Sequence, residues 1–363
     1  MRTVATLGDV LAKRAAPSQL HDTLEDGSAR CYACAHECLV KPGRAGVCRV
    51  RFHDGETFRA PFGYVAGLQC DPIEKKPFFH VLPGALAFSF GMLGCDLHCA
   101  YCQNWVTSQS LRDPVAGVPP QDVTPELIVQ LAVKYRARVL TSTYNEPLIT
   151  SEWARAVFEE GRKRGLLASY VSNGNATERV LDYLQPYLSF YKVDLKTFQD
   201  RQYRRLGGRL QPILDTIRSL VRRHIWVEVV TLTVPGFNDS DEELADIADF
   251  LVSVSADIPW HVTAFHNDYK MTDAGNTPAR TLLRARDIGH KRGLRYVYAG
   301  NLPGFVGDSE DTLCPNCGTT LVRRIGFRVL ENRVQDGACP KCATAIPGYW
   351  SDRLTPVETP VHV

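Results

Sequence analysis

Cys95-Asp96-Leu97-His98-Cys99-Ala100-Tyr101-Cys102 sets three thiols at C-x3-C-x2-C spacing, directly after the apolar run Ala85 to Met92 and the turn Gly91-Met92-Leu93-Gly94. A structural zinc is saturated by four protein ligands, so three thiolates fit that role poorly. They suit an iron–sulfur cluster, which is held by Cys thiolates. With no fourth protein ligand, one iron stays open to an exogenous molecule, as a catalytic cluster requires. The glycines let the backbone turn sharply and approach whatever the thiols hold.

Two more cysteine groups flank this loop. Cys314-Pro315-Asn316-Cys317 and Cys339-Pro340-Lys341-Cys342 form C-x2-C-x21-C-x2-C, with short strand-like runs at 319–324 and 326–332 between them. That pattern reads as a zinc ribbon, with zinc favoured over a rubredoxin-like iron. Cys31, Cys34, Cys38 and Cys48 form C-x2-C-x3-C-x9-C among turn residues. Four thiolates satisfy either a structural zinc or an accessory iron–sulfur cluster, and zinc is preferred because nothing nearby demands redox chemistry. Cys70 stands outside the groups and reads as a small buried residue beside Asp71–Pro77.

The elements that must position these residues follow from alternation along the chain. Candidate strands are Ala85–Met92, Arg138–Tyr144, Leu167–Ser172, Phe190–Asp194, Trp226–Val234, His261–Phe265 and Arg295–Ala299. Amphipathic helical stretches lie between them, at about 125–136, 151–164, 177–184, 210–223, 240–253 and 279–292. Thr124-Pro125-Glu126 is an N-cap with Pro at the first helical position, and Ser240 to Glu243 is a capping box. Repeated β-then-α units imply parallel strands joined by right-handed crossovers. An α/β partial barrel therefore occupies 85–304, between an N-terminal accessory segment (1–84) and a C-terminal ribbon unit (305–363). In such a fold ligands gather at the carboxyl ends of the strands. Tyr144-Asn145-Glu146-Pro147, Ser172-Asn173-Gly174, Asp194-Leu195-Lys196 and His266-Asn267-Asp268 all fall there, on the rim that carries the Cys95 loop.

The 363 residues hold 42 Lys and Arg against 40 Asp and Glu, a net charge of +2. This favours neither nucleic acid nor an anionic membrane as a partner. Residues 1–20 lack the apolar core of a signal peptide, and no window reaches membrane-span length. Arg2, Lys13 and Arg14 leave organelle targeting as an alternative. Eleven of the twelve cysteines fall in the three groups, which reads as metal or cluster binding in a reducing cytoplasm. Arg201, Arg204, Arg205 and Arg209 read as a solvated helix face, with an acidic partner as the alternative.

The motifs also carry a resemblance. C-x3-C-x-aromatic-C with Tyr101 at the aromatic position is the hallmark of radical S-adenosylmethionine (SAM) enzymes. Asp71-Pro72-Ile73-Glu74-Lys75-Lys76-Pro77, Gln103-Asn104-Trp105, Tyr144-Asn145-Glu146-Pro147, Val193-Asp194-Leu195-Lys196, Trp226-Val227-Glu228-Val229, Pro235-Gly236-Phe237-Asn238-Asp239 and Pro259-Trp260-His261 follow in order. With the cysteine groups they resemble the radical SAM member of the AmmeMemoRadiSam system, related to pyruvate formate-lyase activating enzyme. The likeness runs from about Cys31 to Trp350. It implies an open (β/α)6-type partial TIM barrel, and a [4Fe–4S] cluster held by Cys95, Cys99 and Cys102. SAM would chelate the open iron and be cleaved reductively to a 5′-deoxyadenosyl radical that takes hydrogen from a protein or small-molecule substrate.

The same resemblance distributes the SAM contacts. Tyr101 belongs to the loop itself. Asn145 and Glu146 stand where the family has a Gly-Gly-Glu motif that meets the SAM amine, with Tyr144 and Asn145 replacing its glycines. Asp194 and Lys196 resemble an Asp-x-Lys pair near the SAM carboxylate. Ser172 and Asn173 match a turn near the ribose, with Val171 in place of an acidic residue, and His266 resembles a sixth-strand histidine facing SAM. His98 is positioned by the loop. The partners implied are a flavodoxin- or ferredoxin-type reductant and either a protein substrate, as for a glycyl-radical activating enzyme, or the companion proteins of the system. The contrasting classes are a non-catalytic metal-binding adaptor, which leaves the three-cysteine loop unexplained, and an electron-transfer protein, which needs no open iron.

Overall fold

The computed structural model describes residues 6–350, so Arg2 lies outside the described residues. An eight-stranded sheet organises the chain: β1 (Gly67–Pro72), β2 (Leu86–Gly91), β3 (Val139–Ser142), β4 (Leu167–Ser172), β5 (Phe190–Asp194), β6 (Trp226–Thr233), β7 (Trp260–Ala264) and β8 (Val297–Gly300). Spatial order follows chain order from β1 to β8. Strands β2 to β8 are parallel, and β1 pairs antiparallel with β2. Among the described residues no ladder joins β8 to β1, so the barrel is open. It holds seven parallel strands, one for each of the seven candidate strands and one more than the (β/α)6 form that the resemblance implies. It also takes its edge strand, β1, from the stretch assigned by sequence to the accessory segment.

Helices α1 (Pro125–Lys134), α2 (Ser151–Arg162), α3 (Glu178–Leu184), α4 (Leu210–Arg222), α5 (Asp241–Val254) and α6 (Ala279–Arg292) lie in the crossovers. Strands covered by helices on one side and closed around an interior on the other need apolar or hydrogen-bonded residues on both faces. All four residues of β3 are accordingly buried, its Thr141 hydroxyl lying 2.8 Å from that of Ser169 on β4. Thr124 caps α1 by accepting from the Leu127 amide at 3.3 Å. Ser240 caps α5, accepting from the Glu243 amide at 3.2 Å, but only half of the expected capping box forms. The Glu243 carboxylate instead accepts from the Thr197 hydroxyl, the Phe198 amide and the Gln199 side chain, tying α5 to the loop after β5.

The N-terminal segment packs on the barrel rather than trailing from it. Its helix covers Leu7–Ala12, and Ala15–Pro17 pairs as a strand with Phe58–Pro61. Arg51 and Glu152 of α2 form a two-pronged ion pair, 2.7 Å at each prong, and both side chains are buried. At the other end of the chain β9 (Thr312–Leu313), β10 (Thr320–Ile325) and β11 (Arg328–Asn332) make an antiparallel sheet. Leu321 and Val322 of this sheet share a core with Phe79, Tyr296 and Tyr298, near the amino end of β8. This unit therefore lies toward the end of the barrel opposite the Cys95 rim. The described part of the tail is threaded in, not loose: the Tyr349 amide donates to the His80 carbonyl at 2.7 Å, and Tyr349 is buried. Among the described residues no helix is long and apolar enough to cross a membrane.

Candidate functional site

The carboxyl end of β2 runs straight into the cysteine loop, and close packing there dictates the residue types. A Cβ on Gly91 would lie 2.3 Å from the Thr143 carbonyl, so only glycine lets β2 and the end of β3 approach this closely. Tyr144 opposite adopts a left-handed φ of 70°, a sparsely populated region for a bulky residue. Its hydroxyl accepts from Lys76 at 3.1 Å, and Lys76 also pairs with Asp71 at 3.0 Å. The Asp71–Pro77 motif thus braces one side of the rim.

Cys95, Cys99 and Cys102 lie in this loop with their thiols turned inward. The Leu97 amide donates to Cys95 Sγ at 3.4 Å, and Cys102 Sγ lies 3.1 Å from Ser108 Oγ. Burial pushes all three thiols up, Cys99 to about 12, so each keeps its proton until a bound cation replaces it. Tyr101 is buried with its ring 5.5 Å from that of Phe237, and its hydroxyl has no hydrogen-bond partner. An orphaned buried phenol beside three thiols is a polar cost that a bound polar molecule removes.

A second group of charges stands at the end of β5. Asp194 accepts from both Lys192 and Lys196, the latter at 3.5 Å. Burial pushes the Asp194 carboxyl up, but the two ammonium groups outweigh it and hold the group low. Lys196 is raised despite burial, because Asp194 and the Cys99 thiol lie beside it. Burial lowers Lys192 despite its bond to Asp194. Sequence reasoning passed over Lys192. Its place two residues before Asp194 on the same face of β5, with Lys196 two residues beyond the strand end, was the available signal.

Glu146 is engaged differently. Its carboxylate accepts from the Ser172 hydroxyl at 2.7 Å, the Asn173 amide at 2.8 Å and the Leu148 amide at 3.1 Å. Burial and the nearby Asp96 carboxylate push it up to about 8, against the lowering effect of those bonds. Asp96 itself accepts from the side chains of Asn173 at 2.7 Å and Asn175 at 2.8 Å. Asn145 Oδ1 accepts from the Met92 amide at 2.9 Å. Asn145, Glu146, Ser172 and Asn173 are therefore brought together as one network that locks the ends of β2, β3 and β4. Asp96, absent from the sequence-predicted set, is its hub on the cysteine loop.

His266 is not brought into either group. It is exposed after β7, with Nδ1 3.3 Å from the Asn267 carbonyl. The same loop reaches the cysteines through other residues: Tyr269 stacks on Trp105 at 5.2 Å, and the Lys270 amide donates to the Ala100 carbonyl at 3.0 Å. His98 is exposed against Gly207, and Arg201, Arg204, Arg205 and Arg209 are exposed. Cys70 is half-buried on the edge strand.

At the far end of the molecule the sulfurs of Cys314, Cys317, Cys339 and Cys342 all lie within 4.8 Å of one another. Cys314 to Cys342 is 3.5 Å and Cys317 to Cys339 is 3.7 Å, with no disulfide formed. Metal–sulfur bonds of about 2.3 Å place tetrahedral sulfurs about 3.8 Å apart. The group can hold one metal ion.

An open α/β barrel with three thiols, an unpartnered phenol and paired ammonium groups on its carboxyl rim defines a cofactor-dependent enzyme scaffold of the iron–sulfur type. Residues 91–251 match the Radical SAM superfamily. An uncharacterized protein of Methanocaldococcus jannaschii is 34% identical over 333 residues, 91% of this chain and 98% of that protein. The pyruvate formate-lyase 1-activating enzyme of Escherichia coli is 24% identical over 233 residues, 58% of this chain and 92% of the enzyme. A radical SAM methyltransferase structure from Sphaerobacter thermophilus aligns at 15% identity with a TM-score of 0.47, over 85% of this chain and 81% of that one. Residues 91–251 thus form a domain of the Radical SAM superfamily. Within it, the chain is related to the pyruvate formate-lyase activating enzymes.

Proposed function

We propose that this chain is the radical SAM enzyme of an AmmeMemoRadiSam system, a cytoplasmic protein that takes a hydrogen atom from an organic substrate. The observation that carries the reading is the set of three inward thiols beside the orphaned Tyr101 hydroxyl and the Asp194–Lys196 pair. When bound, a [4Fe–4S] cluster with SAM on its open iron supplies a 5′-deoxyadenosyl radical by one-electron cleavage. Cys95, Cys99 and Cys102 would hold the cluster. Lys196 balances the SAM carboxylate, and Asp194 keeps Lys196 in place. Tyr101 gains a partner for its hydroxyl.

Glu146 would meet the SAM amine, while Asn145, Ser172 and Asn173 hold its carboxylate and the rim rigid. The residues thus divide into binders and braces. Such preorganisation matters because an unquenched primary radical attacks the nearest C–H bond, so the substrate hydrogen must already be in contact. The electron comes from a flavodoxin- or ferredoxin-type donor. The substrate is a protein, either a companion of the system or a glycyl-radical enzyme, or a small molecule seated in the barrel. The C-terminal cysteines hold structural zinc.

The test is anaerobic reconstitution followed by EPR with and without SAM, and product analysis with a strong reductant. The expected outcome is a SAM-perturbed cluster signal and slow release of 5′-deoxyadenosine and methionine, both absent from the Cys95→Ala/Cys99→Ala/Cys102→Ala variant. A cluster indifferent to SAM would point to an electron-transfer protein. The absence of any cluster would point to a metal-binding adaptor.

A further inference from the structure

The fold gives the N-terminal cysteines a location that their spacing does not reveal. Cys31, Cys34 and Cys48 are buried, Cys38 is half-buried, and none forms a disulfide. The segment that carries them, residues 31–48, is packed directly on the Cys95 loop. The Arg112 guanidinium donates at 2.7 Å to the Val47 carbonyl, next to Cys48, and at 2.7 Å to the Cys95 carbonyl. One planar group thus spans the two cysteine sets. A second bridge runs from the other side: the Ala35 amide, next to Cys34, donates to the Asn175 carbonyl at 2.9 Å, and the Asn175 side chain donates to Asp96 at 2.8 Å. At Gly94 a Cβ would lie 3.4 Å from the Cys48 carbonyl, so the backbones themselves are in contact.

The sulfur spacing separates this set from the C-terminal one. The C-terminal four have closed to the edge of a tetrahedron around a single ion. Among the described residues no other three thiols are drawn within 4.8 Å of one another, neither in the N-terminal set nor in the Cys95 loop. A cubane binds each thiolate to a different iron and so holds the sulfurs farther apart than one zinc does. The N-terminal set, like the loop it abuts, is not drawn to the spacing of a single tetrahedral ion.

We propose that Cys31, Cys34, Cys38 and Cys48 hold a second [4Fe–4S] cluster that passes electrons from the protein surface, where Cys38 is half-open to solvent, to the cluster of the Cys95 loop. This rests on the radical SAM reading and reverses the zinc preference drawn from spacing alone. The step moves one electron and no atoms: a reduced one-electron protein donor reduces the [4Fe–4S]2+ form to [4Fe–4S]+, which is reoxidised by the neighbouring cluster. Four protein thiolates saturate its irons, so it leaves SAM chemistry to the three-cysteine loop.

The test uses the full chain. The Cys95→Ala/Cys99→Ala/Cys102→Ala variant, reconstituted anaerobically, keeps about four irons per chain. On reduction it gives an EPR signal that SAM does not move. Adding Cys38→Ser and Cys48→Ser to that variant removes the iron. Loss of iron from the triple variant itself, with or without zinc in its place, overturns the proposal, and it does so without reference to folding of the N-terminal variants. Failure of the radical SAM reading shows separately, as a wild-type chain whose signals all ignore SAM. In the wild-type background Cys38→Ser slows reduction of the SAM-responsive cluster by reduced flavodoxin at least about tenfold and leaves reduction by titanium(III) citrate unchanged. Equal rates with both reductants overturn the relay.

Discussion

Lys192 belongs to no motif, yet it decides how Asp194 meets Lys196. It is almost fully buried and donates to Asp194 from the barrel side, so the aspartate is shared between two ammonium groups. Remove one and Asp194 binds Lys196 alone, drawing its charge away from an incoming carboxylate. Lys192→Met is therefore expected to weaken SAM binding by about tenfold, about 1.4 kcal/mol, with the cluster absorbance intact. Lys196→Ala should weaken it further. Equilibrium titration of SAM into the reconstituted protein measures both, and unchanged affinities would show that this charge group does not meet SAM. The motif residues around the site were legible because their types announce chemistry. Lys192 and Asp96 were not, because a lysine inside Phe190–Asp194 and an aspartate inside a cysteine loop look like ordinary strand and turn residues until the fold shows what they face.

At the scale of elements, the parallel strands and their helices were legible because a strand buried on both faces and an amphipathic helix have unlike periods. α4 is observed over Leu210–Arg222 where the pattern predicts 210–223. The edge strand β1 was hidden: Gly67-Leu-Gln-Cys-Asp-Pro carries no alternation, and its place is set by pairing with β2. Equally invisible was the use of the Trp226-Val227-Glu228-Val229 motif. Glu228, fully buried, accepts from the Phe79 and His80 amides at 2.9 Å each, from Trp226 Nε1 at 3.1 Å and from His261 Nε2 at 2.6 Å. It ties β6 to the segment that follows β1. Against the upward push of burial, these donors hold its carboxyl low. His80 beside it is neutral: Nδ1 donates to the Pro347 carbonyl at 2.7 Å, and Nε2 accepts from the Tyr298 hydroxyl at 2.7 Å. Burial lowers its pKa to about 4. The unfolded value is about 6.5. Its folded pKa is thus the lower one, so the stability it contributes is present above about pH 6.5 and is lost as pH falls toward 4. Urea unfolding across that window is expected to lose up to about 3 kcal/mol from this group, and His80→Phe should flatten that part of the profile. An unchanged slope in the variant would assign the acid sensitivity to other groups.

For the whole molecule, the question is how two end segments serve one barrel. The N-terminal segment is fastened by the buried Arg51–Glu152 pair, and Ser18 and the Ile149 carbonyl accept further bonds from the two terminal guanidinium nitrogens. Removing one partner strands a buried charge, so Arg51→Ala is expected to cost about 3–5 kcal/mol, read by chemical denaturation. The C-terminal unit is fastened by the Phe79, Tyr298 and Leu321 core, far from the catalytic rim, and its four cysteines can hold one metal ion. That separation makes the two metal systems independently testable. The cysteine sulfurs have closed to tetrahedral contact, so binding of the ion is coupled to folding of β9 to β11. Cys339→Ala should then open residues 312–346 to limited proteolysis and release one zinc per chain. It should leave the SAM-perturbed EPR signal in place, because the barrel's carboxyl rim is built without this unit. Proteolysis that spreads at once into β7 and β8 would show instead that Tyr296 and Tyr298 need the ribbon to stay folded. Stoichiometric iron in the excised segment would replace the zinc assignment with a rubredoxin-like site.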